Sequence, residues 1–188
     1  MSTLDNPFKD SPTVSNTQVA VRYGAITSVI LIVIGLIGYV TGLTNPANSN
    51  QTVTWISSLL NYGIIIGGMV LAVREHRDTN QGGFITFGKA FGTGFKTVLV
   101  LTAIQAIWMY VFMAFIAPEL KDQIIQNAID QAAEKGQDPE QVEAGMKMMS
   151  WMFNPPMMAA IVFITFLFMG SIFALVIAAV LKKDQEKV

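Results

Sequence analysis

Three long stretches of the chain carry no Asp, Glu, Lys or Arg: Tyr23 to Val73, Thr97 to Pro118 and Met148 to Leu181. A helix on the surface of a water-soluble protein shows polar residues along its outer face, and these stretches do not. A run of ~20 apolar residues is what a helix needs to cross a ~30 Å hydrocarbon layer. The first stretch is too long for a single crossing. It breaks at GLTNPANSNQT, Gly42 to Thr52, where Asn, Pro, Ser and Gly cluster as turn chemistry. The pattern predicts four spans, about Tyr23–Thr41, Trp55–Val73, Phe95–Ala117 and Met157–Leu181. Pro118 closes the third, Asn154-Pro155-Pro156 opens the fourth, and Lys182 and Lys183 close it.

Between the second and third spans lies Arg74 to Lys96, REHRDTNQGGFITFGKAFGTGFK. Phe84, Phe87, Phe91 and Phe95 recur at helical spacing and so form one stripe, with Lys89 and Lys96 on another flank and Thr86 and Thr93 roughly opposite. This predicts an amphipathic helix at the cytoplasmic membrane surface, ahead of span three, with its rings in the bilayer and its lysines towards anionic headgroups. Gly82 and Gly83 would hinge it, and Gly88 and Gly92 would let a neighbouring helix approach. The simpler reading is the frayed start of span three itself. The glycines do not make a phosphate loop: Lys89 is followed by Ala rather than Ser or Thr, and Gly92-Thr93-Gly94 runs straight into an apolar span.

Between the third and fourth spans, residues 119–154 predict a helical hairpin. Leu120, Ile124, Ile125, Ala128, Ile129, Ala132 and Ala133 repeat at helical spacing, and Gly136 ends that helix. Asp138 then serves as an N-cap, with Pro139 at the first helical position and Gln141 three residues after the cap. The second helix carries Val142, Met146, Met149 and Phe153 on one face. Such a hairpin would cap the bundle.

Composition agrees with a membrane protein: of 188 residues, 52% are hydrophobic and 13% charged. Of twelve Lys and Arg, nine (Lys9, Arg22, Arg74, Arg77, Lys89, Lys96, Lys182, Lys183 and Lys187) fall on the side shared by both termini and the middle loop. Only Lys121, Lys135 and Lys147 fall on the other, beside seven acids from Glu119 to Glu143. Basic residues are retained in the cytoplasm, so both termini are expected there and the hairpin in the periplasm. The opening residues 1–22 read as a polar tail without signal-peptide features, and 184–188 as a second tail. A net charge of −1 argues against nucleic acid as a partner. The absence of cysteine removes disulfides, thiolate metal sites and Cys nucleophiles.

The order span, turn, span, R-E-H-R-D, GGFITFGKAF resembles a bacterial membrane family of unassigned activity, "domain of unknown function 4199". FIAPEL, DPEQVEAGMKMM, FNPPMMA and the closing AAVLKK extend the resemblance over Val19 to Lys183. It implies four spans in the inner membrane of a Gram-negative bacterium and carries over no catalytic or binding residue.

Function has little to rest on here. No ionisable residue lies inside a span, where transporters and proton relays place theirs. Asn61 and Gln105 are the candidate polar groups, read as interhelical contacts. Phe84, Phe87, Phe91, Phe95, Lys89 and Lys96 are the candidate lipid-interface residues. No catalytic set converges, and no cofactor is implied. Six of eleven methionines lie in MKMMSWMFNPPMM, Met146 to Met158, where thioethers could hold Cu(I) but serve more simply as apolar filler beside Trp151. The sequence thus reads as an all-α integral membrane protein, a non-enzymatic module that meets lipids or partner helices. The alternative is a subunit of a homo-oligomeric transporter or channel.

Overall fold

The computed structural model describes residues 15–43 and 51–183. The expectations for residues 1–14, for most of the first turn and for 184–188 therefore lie outside the described residues. In chain order the helices are α1 (Asn16–Val40), α2 (Gln51–Asn80), α3 (Phe87–Val111), α4 (Leu120–Glu134), α5 (Pro139–Met149) and α6 (Pro155–Leu181). A π turn, Phe112–Ile116, prolongs α3, and a 3-10 turn, Ser150–Phe153, joins α5 to α6.

Four of these helices are long and apolar enough to cross a membrane, at 25, 29, 30 and 27 residues for α1, α2, α3 with its π turn, and α6. At 1.5 Å per residue they measure roughly 38–45 Å, enough for the hydrocarbon layer and part of the headgroup layers. α1 and α2 run past the predicted spans into the charged flanks. α1 starts early because Ser15 and Gln18 form a reciprocal capping box ahead of Arg22. α2 continues to Asn80 and is stopped by Gly82 and Gly83, whose φ of 61° and 87° belong to the left-handed region. α3 ends against Pro118: Ala117 leaves helical geometry at φ −134°, ψ 62°, as a residue before proline is pressed to do.

α3 packs along α1 and α6, α2 packs on the same two helices, and α2 also touches α3 across the middle. The bundle is therefore a ring in the order α1, α2, α6, α3. Close approach is made at glycines. A Cβ on Gly24 would lie 2.9 Å from the Thr97 carbonyl and the Val100 Cβ, and one on Gly170 would lie 2.5 Å from Val98 Cγ1. One on Gly94 would meet the Ala174 Cβ at 3.3 Å, and one on Gly68 would overlap the Thr27 hydroxyl. These four glycines serve three different helix pairs, since lipid tails are as apolar as leucine and close backbone packing is what holds helices together.

Two expectations are corrected here. The segment read as a separate interfacial helix over Phe84–Phe95 is not separate: α3 runs unbroken from Phe87 to Val111. Phe84 to Thr86 stay extended because Ile85 pairs with Lys183 as an isolated antiparallel bridge, Ile85 N to Lys183 O at 3.0 Å and Lys183 N to Ile85 O at 2.9 Å. And Gly88 and Gly92 do not admit a neighbour, for a Cβ on either would meet nothing within 4 Å.

The hairpin helices end and begin as the sequence requires. Gly136 has φ 71°, and the Gln137 and Gly136 amides donate to the Ala132 and Ala133 carbonyls at 2.9 and 3.0 Å, a Schellman closure. Asp138 caps α5 by accepting from the Glu140 amide at 3.0 Å. α4 and α5 pack on each other and touch the long helices sparingly.

Candidate functional site

The buried face of α3 is Ala90, Thr93, Gly94, Thr97, Val98, Leu101, Thr102 and Gln105, a stripe of small and weakly polar residues at helical spacing. α1 meets it with Ser28, while its neighbour Thr27 lies against Gly68 of α2; both are buried. Within hydrocarbon a polar group without a partner costs several kcal/mol, and here four hydroxyls find theirs on their own helices. Thr93 donates to the Lys89 carbonyl at 2.9 Å, Thr97 to Thr93 at 2.9 Å, Thr102 to Leu99 at 3.0 Å and Ser28 to Gly24 at 2.8 Å. Gln105 crosses between helices: its Nε2 donates to the Ser28 carbonyl at 3.2 Å. Among the described residues no buried side-chain nitrogen or oxygen lacks a hydrogen bond.

The other face of α3 carries the phenylalanines. Phe87 is 42% exposed, and Phe91 and Phe95 are half-buried. Their rings follow one another at centroid distances of 6.4 Å for Phe87–Phe91 and 5.8 Å for Phe91–Phe95. Phe84 stands apart, with the Lys183 ammonium 5.3 Å from its ring centroid. The two lysines also part company. Lys89 is exposed and donates to Gln81 Oε1 at 2.6 Å. Lys96 reaches α1, donating to Asn16 Oδ1 at 2.8 Å and Thr17 Oγ1 at 3.0 Å. Thr93, roughly opposite the phenylalanines in the sequence pattern, is fully buried.

Contacts from four helices gather at this end of the bundle. Arg22 pairs with Glu75, and Tyr23 donates its hydroxyl to the same Glu75 oxygen at 2.7 Å, tying α1 to α2. His76 is buried, its Nδ1 3.2 Å from Asn80 Nδ2. With the Lys96 bond to α1 and the Ile85–Lys183 bridge to α6, one end of the molecule is cross-tied. Glu75 and His76 carried no assigned role in the sequence pattern, where they are part of a charged run.

Asn61 sits elsewhere. Its Nδ2 donates to the Ser57 carbonyl of its own helix at 2.8 Å, rather than across to a neighbour as the sequence reading had it. It lines a groove of about 240 Å³ between α2 and α6 with Ser58, Tyr62, Thr165, Phe166 and Met169. Tyr62 meets Phe173 of α6 edge to face at 5.7 Å, closing one wall.

The chain matches the model of a family described as "Protein of unknown function (DUF4199)" over residues 22–183. It belongs to that family. No curated protein and no solved structure matches the chain.

At the opposite end of this DUF4199 chain, among the described residues, α1 is tied to the segment that follows α3. Tyr39 donates to Glu119 Oε1 at 2.9 Å and meets Phe112 edge to face at 5.1 Å. Lys121 donates to Asn154 Oδ1 at 3.3 Å. The methionine-rich segment is not gathered around a centre: Met148 is 81% exposed and Met149 48%.

Proposed function

We propose that this DUF4199 chain is a non-enzymatic module of the bacterial inner membrane that meets lipids and partner helices. Both termini lie in the cytoplasm and the α4–α5 hairpin in the periplasm. The observation that carries the reading is the seam between α1 and α3, where Ser28, Thr93, Thr97 and Thr102 spend their hydroxyls on backbone carbonyls and Gln105 its amide on a helix neighbour. Groups so engaged serve packing, and chemistry would need them free. The basic, phenylalanine-bearing end, with Phe87 and Lys89 exposed, has the composition of a surface that meets anionic headgroups.

The alternative, a subunit of a homo-oligomeric transporter or channel, draws on the same seam: a pathway would have to form between copies. Native mass spectrometry on complexes extracted from membranes tests the choice. The expected species is one chain with bound lipid, or with a different membrane protein. A closed ring of identical chains would sink the proposal in favour of the alternative.

A further inference from the structure

The α2–α6 groove has a chemistry that packing alone does not require. It holds an amide (Asn61), two hydroxyls (Ser58 and Thr165), a phenol (Tyr62), a phenyl ring and a thioether. The bond to Ser57 takes one of the two Asn61 amide hydrogens, so the second hydrogen and the carbonyl oxygen are what the side chain has to offer a ligand. Both walls sit at one depth: Asn61 lies ten residues into α2, which starts at Gln51, and Thr165 ten residues into α6, which starts at Pro155. At 1.5 Å per residue that is roughly 15 Å from either helix start. The groove therefore opens sideways within the apolar layer, about 9 Å below the exposed Trp55, six residues earlier on α2.

We propose that this groove binds a neutral, membrane-dissolved amphiphile that presents a hydroxyl or carbonyl group to Asn61 and Thr165 and lays its hydrocarbon against Phe166 and Met169. Three features select that class. The lining has no Asp, Glu, Lys, Arg or His, so nothing in it compensates a charged headgroup. The depth excludes a phosphate, whose transfer into hydrocarbon is far costlier than that of a hydroxyl. Polar groups facing hydrocarbon are themselves costly unless hydrogen-bonded, so an occupant with one polar group is favoured over a bare acyl chain. The inference rests on the reading of the chain as a lipid-embedded module and names a ligand class for it.

The test uses the full chain in nanodiscs of zwitterionic phospholipid with a photoreactive monoacylglycerol, its diazirine placed near the ester. A matched probe bearing a phosphate runs in parallel. The neutral probe should label the peptides holding residues 58–62 and 165–169, and the phosphate probe should label them at least about fivefold less. Asn61→Leu should lower neutral labelling about fivefold, the factor one hydrogen bond is worth. Thr165→Val, which keeps the volume and removes the hydroxyl, should lower it similarly and serves where Asn61→Leu fails to fold. Equal labelling by both probes, or labelling that neither variant changes, would mean acyl chains only and overturn the proposal. The chain has no cysteine, so Thr165→Cys gives a single thiol; a disulfide between copies there would assign the groove to a second copy instead. Carbonate extraction of the source membranes tests membrane integration alone and keeps a failure of the underlying reading distinguishable.

Discussion

The two faces of α3 differ in side-chain size and in how deeply they are buried. One is large and aromatic, running from the exposed Phe87 to the half-buried Phe91 and Phe95, with Phe91 at the edge of the core; the other is small and hydroxyl-bearing, and it is buried against α1 and α6. In water the rings would be inside, because burying a Phe is worth about 1.5–3 kcal/mol. In a bilayer that gain disappears, since the outside is hydrocarbon too. What remains is contact between backbones, which glycine and threonine permit and phenylalanine prevents.

The sharpest way to break this contrast is to add bulk to the small face. Gly170→Leu should cost about 3 kcal/mol or more, because Val98 already occupies the space and both groups belong to packed helices. The loss would be read as a fall in the temperature at which the detergent-solubilised protein stops eluting as a single species. Gly88→Leu, on the open side of the same helix pair, should change that temperature little, by about 0.5 kcal/mol or less. Equal effects at the two positions would refute the assignment of faces.

A smaller effect separates the polar part of the seam. Gln105→Leu removes the bond to the Ser28 carbonyl and should cost about 1 kcal/mol in the same assay. An increase in stability would mean that the amide is kept for some purpose other than packing. Phe87→Ala should also have a small effect, close to that of Gly88→Leu. The ring is 42% exposed and has one stacked neighbour, Phe91, so about 0.5 kcal/mol is at stake. If Phe87→Ala rivals Gly170→Leu, the phenylalanine stripe is a packing surface after all.

The positions of the spans were legible because they depend only on where charges are missing. The hairpin termini were legible because Gly136 and Asp138 act locally, through backbone conformation and a bond two residues away. The buried face of α3 was not legible from its rings. The threonine and glycine spacing of the other face held that information, and a criterion borrowed from soluble helices ranks it below phenylalanine. Asn61 and Gln105 make the same point about sites. As residues in apolar spans they are equivalent, yet one donates to its own helix and opens onto a groove while the other bridges two helices. Only the packing of α2 against α6 separates them.

The bridge between Ile85 and Lys183 has a consequence in time. Residues that close the loop ahead of α3 are made early, and the partner that holds them, at the end of α6, leaves the ribosome last of the two. At about 5–20 residues per second the wait is on the order of ten seconds. During it α1, α2 and α3 have already been synthesised, while Ile85 still waits for its backbone partner. The newborn protein thus passes through a stage in which three helices are present and one end is still unlatched, and arrival of the final helix both completes the bundle and fastens the loop.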